Sequence, residues 1–342
     1  MLPAGDTENH TFAHTEMPVT HAIRIHSHGD AGVLRWEEVQ LGAPGPGEVL
    51  LRQTACGLNF IDVYQRDGLY PAGDLPAVLG MEAAGVVEAL GEGVDGLAVG
   101  DRVAYPMCQG GYAEARLIAA DRLVRLPDTV SDRQAAAIML KGLTAHYLLF
   151  RSYPVKPGDS ILVYAAAGGV GSILSQWAKH LGAHVIGCVG SEEKAEMAQA
   201  NGCDHTILYR HEDIPARVRE LTDGEGVAAA YDSVGKATFM ASLDSLRPLG
   251  VMVSYGNASG PVEPFSPGIL APRGSLYVTR PTLATHISTR ELLEDGTNRL
   301  FRAVTDGLLH IQINQNYPLA ETARAHRDLE ARQTTGSTIL LP

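Results

Sequence analysis

Residues 165–172 read AAAGGVGS, a glycine-rich stretch between two segments of different periodicity. The apolar residues 161–164 before it predict a β-strand, and the residues after it predict an amphipathic helix. Ala166, Gly168 and Gly171 occupy the positions of a GxGxxG turn, with Ala replacing the first Gly. Small residues let the backbone approach a pyrophosphate, whose charge the N–H groups of a helix N-terminus can bind. The stretch predicts a dinucleotide-binding unit; close helix–strand packing without a ligand is the alternative.

The segments on either side alternate between strands and helices. Predicted helices lie near 171–181, 192–201, 213–222 and 237–246. Apolar runs between them predict strands at 160–166, 183–189, 205–209, 227–235, 250–256 and 275–280. Successive βαβ units of this kind predict an α/β fold with a doubly wound parallel sheet.

The chain before this region follows a different pattern. Short apolar runs broken by Gly and Pro predict strands at 22–28, 48–57, 83–91, 101–107 and 112–119, and hence a β-rich domain. A helix is predicted over 131–150. The last stretch predicts helices at 290–309 and 319–333 and a strand at 337–342, too little for a core of its own. The predicted divisions are a flexible N-terminal extension at 1–18, a catalytic domain at 19–140, a cofactor domain at 141–280, and a return segment at 281–342 that packs on the catalytic domain.

Composition narrows the class of protein. The 342 residues include 27 basic and 39 acidic side chains, a net charge of −12, which argues against nucleic acid or an anionic membrane as main partner. No apolar run reaches the ~18 residues of a membrane-spanning helix. The four cysteines form no CxxC pair, so neither a disulfide framework nor a local zinc site is indicated. These features predict a cytoplasmic protein without membrane insertion.

The second strand of the parallel sheet raises the question of which dinucleotide binds. Residues 185–194 read VIGCVGSEEK, with no carboxylate at the strand end, where NAD-binding proteins commonly hold the ribose. Ser191, Lys194 and Tyr209, at the end of the next strand, are placed to hold a ribose phosphate, which needs donors and positive charge. The pattern favours NADPH; the alternative is that Lys194 is a solvated helix lysine paired with Glu192 or Glu193.

Several motifs together resemble a known family. They are GLNFIDVYQRDGLYP (57–71), LGMEAAGVV (79–87), LKGLTAHYLL (140–149), YDSVG (231–235), SYGNASG (254–260), GSLYVTRP (274–281) and ARQTTGSTILLP (331–342). With the AAAGGVGS turn they resemble the quinone oxidoreductases related to zeta-crystallin, a zinc-free branch of the medium-chain dehydrogenase/reductase superfamily, over residues 20–342. The resemblance implies a GroES-like catalytic domain, a Rossmann cofactor domain, NADPH-dependent quinone reduction and a homodimer.

The resemblance also implies site residues. It places Asn59, Asp62, Tyr64 and Tyr70 at the catalytic cleft beside the nicotinamide; half-buried domain-boundary aromatics are the alternative for the two tyrosines. The residues implied in cofactor binding are Asn59, Tyr64, Thr144, Ala167, Gly168, Gly169, Val170, Gly190, Ser191, Lys194, Tyr209, Ser233, Tyr255, Gly256, Asn257, Val278, Thr279 and Arg332. Arg332 has the alternative role of a helix C-terminal cation.

The same comparison predicts a cleft without metal. Zinc members of the superfamily carry Cys in the segment matching Asn59 and His where Met81 stands. Asn and Met are poor zinc ligands, because zinc prefers thiolate, imidazole or carboxylate. A quinone is already a strong electron acceptor, so cofactor placement and a charge-tolerant pocket suffice for its reduction.

Three functions remain open from the sequence. The first is NADPH-dependent reduction of a small-molecule quinone, and the second is NADPH-dependent reduction of 2-alkenals or enones in the same apolar cleft. The third is a non-enzymatic protein that binds NADPH or nucleic acid, against which the charge of −12 weighs. The apolar edge formed by 254–260 and 274–281 predicts that a homodimer forms through the cofactor domain.

Overall fold

The computed structural model describes residues 19–342, and the extension predicted at 1–18 lies outside them. The C-terminal half is built around one six-stranded sheet with the order β11-β10-β9-β12-β13-β14, all strands parallel. This is the strand order of a dinucleotide-binding sheet. Its strands are β9 (Ser160–Tyr164), β10 (His184–Val189), β11 (His205–Leu208), β12 (Val227–Asp232), β13 (Leu246–Ser254) and β14 (Tyr277–Thr279).

Helices cover both faces of this sheet. The central strand β12 is buried at every position, as expected for a parallel strand packed on both sides. The covering helices are α3 (Gly169–His180), α4 (Glu192–Ala200), α5 (Ile214–Leu221) and α6 (Phe239–Asp244). The predicted doubly wound parallel sheet is therefore confirmed.

The N-terminal half is β-rich. A three-stranded sheet has the order β2-β1-β4, and a larger sheet has the order β15-β16-β3-β5-β6-β8, with β7 pairing to β3. The strands are β1 (Val19–Ile25), β2 (Arg35–Gln40), β3 (Glu48–Gly57), β4 (Ala77–Val78), β5 (Glu82–Leu90), β6 (Arg102–Pro106), β7 (Ala115–Ala119) and β8 (Val124–Arg125). Two helices belong to this half of the chain, α1 (Phe60–Asp67) and α2 (Asp132–Tyr147).

The end of the chain returns to the N-terminal half. It forms α7 (Leu283–His286), α8 (Arg290–Thr305), β15 (Ile313–Pro318), α9 (Thr322–Glu330) and β16 (Ser337–Leu341). Strand β16 pairs antiparallel with β3, and α8 packs against α2. Helix α2 runs across the predicted division between residues 140 and 141, because it packs on both the β-rich sheet and α3. The predicted domain limits remain predictions.

Four strands were not predicted from the sequence: the two-residue strands β4 and β8, and the longer strands β2 and β15. Strand β2 (RWEEVQ) is at least partly exposed at every position, so it lacks the alternation of apolar and polar residues that marks a half-buried strand. Strand β15 (INQNYP) is polar at most positions and is held by its pairing with β16. Both are edge strands, where charged and polar residues disfavour pairing with other chains.

Candidate functional site

A cavity of about 720 Å³ lies between the two halves of the molecule. Its wall comes from the start of α1, one face of α2, the turns that follow β9, β10, β12 and β13, and the segment around residues 329–338. This volume is in the range of small-molecule and cofactor sites, and the position is at the carboxyl ends of the parallel strands, where such folds bind ligands.

Small residues in the turn after β9 line the cavity. A Cβ atom on Gly171 would lie 2.3 Å from the Ala165 carbonyl oxygen, so only Gly lets α3 sit this close to β9. Ala165 itself has φ of 50°, in the left-handed region that costs a non-glycine residue free energy. Helix α3 begins at Gly169 without a side-chain cap, so its first N–H groups are available to an anion.

Three polar side chains meet at the tip of β10. Lys194 Nζ donates to the Arg332 carbonyl oxygen at 2.7 Å, and Arg332 Nη1 donates to the Tyr209 hydroxyl at 3.2 Å. A Cβ on Gly190 would lie 2.7 Å from that hydroxyl oxygen, so Gly190 makes room for Tyr209. Burial lowers the pKa of Lys194. The arrangement gathers two cations and a hydroxyl where a strand ends without a carboxylate.

A buried carboxylate lies behind the cavity wall formed by Asn59 and Lys141. Glu82 is fully buried and its Oε1 accepts from Asn59 Nδ2 and from Lys141 Nζ, both at 2.8 Å. Its Oε2 accepts from the Leu140 backbone N–H at 2.6 Å. A Cβ on Gly57 would lie 2.2 Å from Glu82 Oε1, so the end of β3 must be glycine. Asn59 and Lys141 line the cavity, and the Glu82 carboxylate holds both of them in place.

Two tyrosines join the halves of the molecule. The rings of Tyr64 and Tyr70 pack edge to face with centroids 5.2 Å apart. The Asn257 backbone N–H donates to the Tyr64 hydroxyl at 3.0 Å, and Asn257 Nδ2 donates to the Tyr70 hydroxyl at 3.0 Å. Arg280 Nη2 also donates to the Tyr70 hydroxyl, at 2.9 Å. Burial raises the pKa of Tyr64 to about 12.

Asp62 stands behind this wall. It is fully buried, and its Oδ2 accepts from the Asn59 backbone N–H at 2.8 Å and from the Tyr112 hydroxyl at 2.6 Å. The Tyr112 hydroxyl lies 3.2 Å from Nε2 of His326, whose Nδ1 lies 3.3 Å from Arg66 Nη1. Burial raises the pKa of Asp62 to about 7, and burial followed by the Arg66 charge lowers the pKa of His326 to about 3.

Most of the predicted site residues line this one cavity. They are Asn59, Tyr64, Tyr70, Thr144, Ala167, Gly168, Gly169, Val170, Gly190, Lys194, Tyr209, Ser233, Tyr255, Gly256 and Arg332. Their assignment to particular parts of a cofactor remains a prediction.

The other predicted residues do not line the cavity. Asp62 is buried behind Asn59, and Asn257 supports the two tyrosines from outside. Ser191 is exposed and caps α4 by accepting from the Lys194 backbone N–H at 3.4 Å. Val278 and Thr279 end β14, and the chain reaches the cavity one residue later, at Arg280. Successive side chains of a strand point to opposite faces, so an error of one position in the sequence replaces a cavity-lining residue by one that faces away.

Two charged lining residues were missed by the sequence reading. Lys141 is three residues before Thr144 on α2, a spacing that puts both on one face of a helix, and this signal was available. Arg280 follows Thr279 directly, but only the folded chain shows that its guanidinium meets Tyr70, which is 210 positions away.

Two structural absences apply to the part of the chain from 19 to 342. It contains no group of three or more His, Cys, Asp and Glu side chains arranged to hold a metal ion. None of its helices combines the length and apolar character needed to cross a bilayer. The metal-free cleft and the lack of membrane insertion remain predictions.

Comparisons with known proteins agree with this architecture. Residues 45–128 match the family described as alcohol dehydrogenase GroES-like domain, and residues 169–294 match the family described as zinc-binding dehydrogenase. A β-rich GroES-like half, a parallel dinucleotide-binding sheet and a cleft between them define a member of the medium-chain dehydrogenase/reductase superfamily.

Individual relatives narrow this class. A quinone oxidoreductase of Pseudomonas aeruginosa is 52% identical, covering 94% of this chain and 99% of the relative, and a 2-haloacrylate reductase of a Burkholderia species is 48% identical, covering 94% and 98%. The solved structure of Escherichia coli quinone oxidoreductase complexed with NADPH has a TM-score of 0.92 at 46% identity, covering 94% of this chain and all of that one. The chain belongs to the quinone oxidoreductase family.

The buried carboxyl of Asp62 predicts a pH-dependent stability. Its pKa rises from the ordinary 3.8 to about 7 on folding. The contribution of the neutral carboxyl to the free energy of unfolding is therefore fully present below pH 3.8 and is lost as pH rises through about 7. Asp62→Asn stays neutral. Relative to this variant, the wild-type free energy of unfolding should fall by about 1.4 kcal/mol per pH unit across that range.

Denaturant unfolding of both proteins at pH 5 and pH 8 measures this difference. His326 titrates with the opposite sign, since its lowered pKa costs stability as pH falls, but it is common to both proteins and cancels. Asp74→Asn, at an exposed position, is the matched control for loss of a carboxylate. An equal gap between wild type and Asp62→Asn at both pH values would contradict the prediction.

Proposed function

We propose that this protein is an NADPH-dependent reductase of quinones, with its active site in the cavity between the two halves. The observation that carries the proposal is the end of β10, where Lys194, Tyr209 and Arg332 converge and no carboxylate is present. A 2′-phosphate has two negative charges to place there, and a carboxylate would repel it. The NADPH complex of the Escherichia coli relative supports the same choice of cofactor.

The remaining wall fits the rest of the nucleotide. Gly168, Gly169 and Gly171 leave the N-terminus of α3 open to a pyrophosphate, and Gly190 leaves the turn after β10 open beside Tyr209. When bound, NADPH supplies the hydride. Thr144 and Tyr64 line the same cavity and would orient the nicotinamide end.

The substrate end suits a flat, uncharged acceptor. Phe60, Ile61, Met107 and Leu283 contribute apolar surface, and the Tyr64 and Tyr70 rings offer aromatic faces and hydroxyls. Quinone reduction takes up one hydride and one proton, so the pocket needs a planar slot and polar hydrogens more than a Lewis acid. This apolar slot with few polar groups supports the quinone assignment.

A second candidate is the reduction of 2-alkenals and enones. The Burkholderia relative named as a 2-haloacrylate reductase supports it, because a haloacrylate is a conjugated alkene with a carboxylate. In this chain Arg280 lines the cavity beside Tyr70 and would offer such a carboxylate a cation. Both functions use the same hydride and differ in where the proton is added.

A substrate panel tests the function. Purified protein with NADPH is assayed against naphthoquinones, benzoquinones, 2-alkenals, a cyclic enone and 2-chloroacrylate, following NADPH absorbance with enzyme-free blanks. We expect quinones to give the highest kcat/KM, by about tenfold or more over the alkenes, because no charged anchor is required. Higher kcat/KM with 2-chloroacrylate would favour the second candidate, and no NADPH oxidation with any acceptor would contradict both.

Lys194→Ala should reduce the preference of the enzyme for NADPH over NADH. Removing one charge-assisted contact costs about 1.5–3 kcal/mol, which is roughly a 10- to 150-fold loss of kcat/KM with NADPH. NADH lacks the phosphate, so its kcat/KM should change little. Steady-state kinetics with both cofactors measure the effect.

The matched control is Lys156→Ala, which removes an exposed lysine outside the cavity. If Lys194→Ala lowered kcat/KM equally with NADPH and NADH, Lys194 would support the fold through its bond to the Arg332 carbonyl instead of binding phosphate.

The protein should assemble as a homodimer through β14. This strand is an edge of the parallel sheet, and Tyr277 on it is 60% exposed, which suits pairing of two edges about a two-fold axis. Light scattering at micromolar concentration should give twice the chain mass, and Tyr277→Lys should weaken the dimer. Val99→Lys, which changes an equally exposed apolar residue in the β-rich half, is the control, and a monomeric mass for the wild type would refute the assembly.

The cytoplasm is the proposed location. All four cysteines, Cys56, Cys108, Cys188 and Cys203, are free thiols in the structure. Unpaired cysteines are typical of the reducing cytosol. Localisation of a tagged full-length chain by fractionation would check the assignment.

A further inference from the structure

The ion pair between Lys141 and Glu82 is a built feature of the cavity wall. Lys141 is 6% exposed and Glu82 is fully buried, so both charges are withdrawn from bulk water. Burying a charge is costly unless it is paired and hydrogen bonded. Glu82 meets this condition with Lys141, Asn59 and the Leu140 backbone N–H.

The fold fixes the position of the ammonium group. The Lys141 stem crosses the first residue of α3, where a Cβ on Gly169 would lie 2.6 Å from Lys141 Cδ. Its Nζ then reaches the Glu82 carboxylate at 2.8 Å, on the same oxygen that holds Asn59. The stem therefore passes the N-terminus of the cofactor helix, and the charge lies at the Asn59 end of the cavity.

The ammonium has donors to spare. An ammonium carries three N–H donors, and among residues 19–342 Glu82 is the hydrogen-bond partner of Lys141 Nζ. Lys141 lines the cavity, and so does Asn59, which shares Glu82 Oε1 with the ammonium, so a bound molecule would lie close to the remaining donors. The Asn59 amide donates one N–H to Glu82 and is not an acid at neutral pH, and burial raises the pKa of the Tyr64 hydroxyl to about 12.

We propose that Lys141 is a catalytic acid that gives a proton to the reduced oxygen of the substrate, with Glu82 as its positioning residue. The inference rests on the proposed function. Hydride addition brings two electrons and one hydrogen to the quinone and leaves negative charge on a carbonyl oxygen. The Lys141 N–H bond then breaks, the O–H bond of the hydroquinone forms, and the electron pair stays on nitrogen. Water entering after product release returns the proton to the amine.

Removing Lys141 alone would strand the buried Glu82 charge, so the test pairs two substitutions. Lys141→Met with Glu82→Gln removes both charges at similar volume, and Glu82→Gln alone retains Lys141 with the bound phenolate or reduced oxygen as its remaining ionic partner. Lys156→Met, at an exposed position outside the cavity, controls for loss of a lysine. Thermal unfolding and NADPH affinity, measured by fluorescence titration, establish that each variant is folded and binds cofactor.

The first measurement needs no turnover. The enzyme saturated with NADP⁺ is titrated with 4-nitrophenol, whose phenolate imitates the reduced oxygen and has its own absorption band. Wild type and Lys156→Met should bind it as phenolate, and Glu82→Gln should increase the phenolate fraction because the ammonium loses its partner. The double variant should bind the neutral phenol. A phenolate fraction unchanged in the double variant, or lowered in Glu82→Gln, would overturn the proposal.

The second measurement is the single-turnover rate of NADPH oxidation by a quinone. General acid catalysis contributes about 10²-fold or more, so the double variant should be slower than Glu82→Gln by about that factor. Its Kd for NADPH should stay within about twofold of wild type. Equal loss of rate and NADPH affinity would make Lys141 a cofactor ligand, and rates within about threefold would make it a structural ion pair.

The proposed function fails separately from this inference. If the wild type failed to oxidise NADPH with every quinone tested, the proposed function would be wrong whatever the nitrophenol titration shows. If the wild type reduced quinones and the double variant matched Glu82→Gln in both measurements, only the role of Lys141 would be wrong. If the double variant did not fold, the phenolate change in Glu82→Gln alone would still decide the matter.

Discussion

The Glu82 carboxylate is the interaction on which the rest of the site depends. It is buried at the start of β5 and accepts from Asn59 at the head of α1, and from Lys141 and the Leu140 N–H on α2. One side chain thereby fixes the β-rich sheet, the helix that carries Tyr64, and the helix that leads into the parallel sheet. A buried carboxylate needs all of its partners, so these elements cannot shift independently without stranding a charge.

Behind that carboxylate a chain of buried polar groups stiffens the wall. Asp62 accepts from Tyr112, Tyr112 contacts His326, and His326 contacts Arg66, whose guanidinium pairs with Glu330 at 2.7 Å near the surface. The chain ties α1 to α9 of the return segment, so the wall of the cavity is held by residues more than 200 positions apart. Such a network makes α1 a rigid support for Tyr64 on the cavity side.

The two ends of the cavity use opposite physical means. At the end near β10, Gly168, Gly169 and Gly190 create room for close backbone approach, and Lys194 with Arg332 supplies positive charge. At the other end, aromatic and aliphatic side chains form much of the wall, and the few polar groups are held by hydrogen bonds. In the proposed function, the charged end would anchor the cofactor and the more apolar end would hold the reacting groups, a division that favours electrostatic catalysis.

Sequence patterns were sufficient to predict the parallel sheet, the order of its elements along the chain, and the glycine-rich, basic end of the cavity. These are local properties: AAAGGVGS follows a strand directly, and Gly190 and Lys194 follow the next one, so chain connectivity alone brings them to one sheet edge. Only the tertiary structure decided the other end. Asp62 faces Tyr112 and not the cavity, and Arg280, not Thr279, reaches Tyr70. Which face a buried side chain takes depends on partners far away in the chain, and no local pattern encodes them.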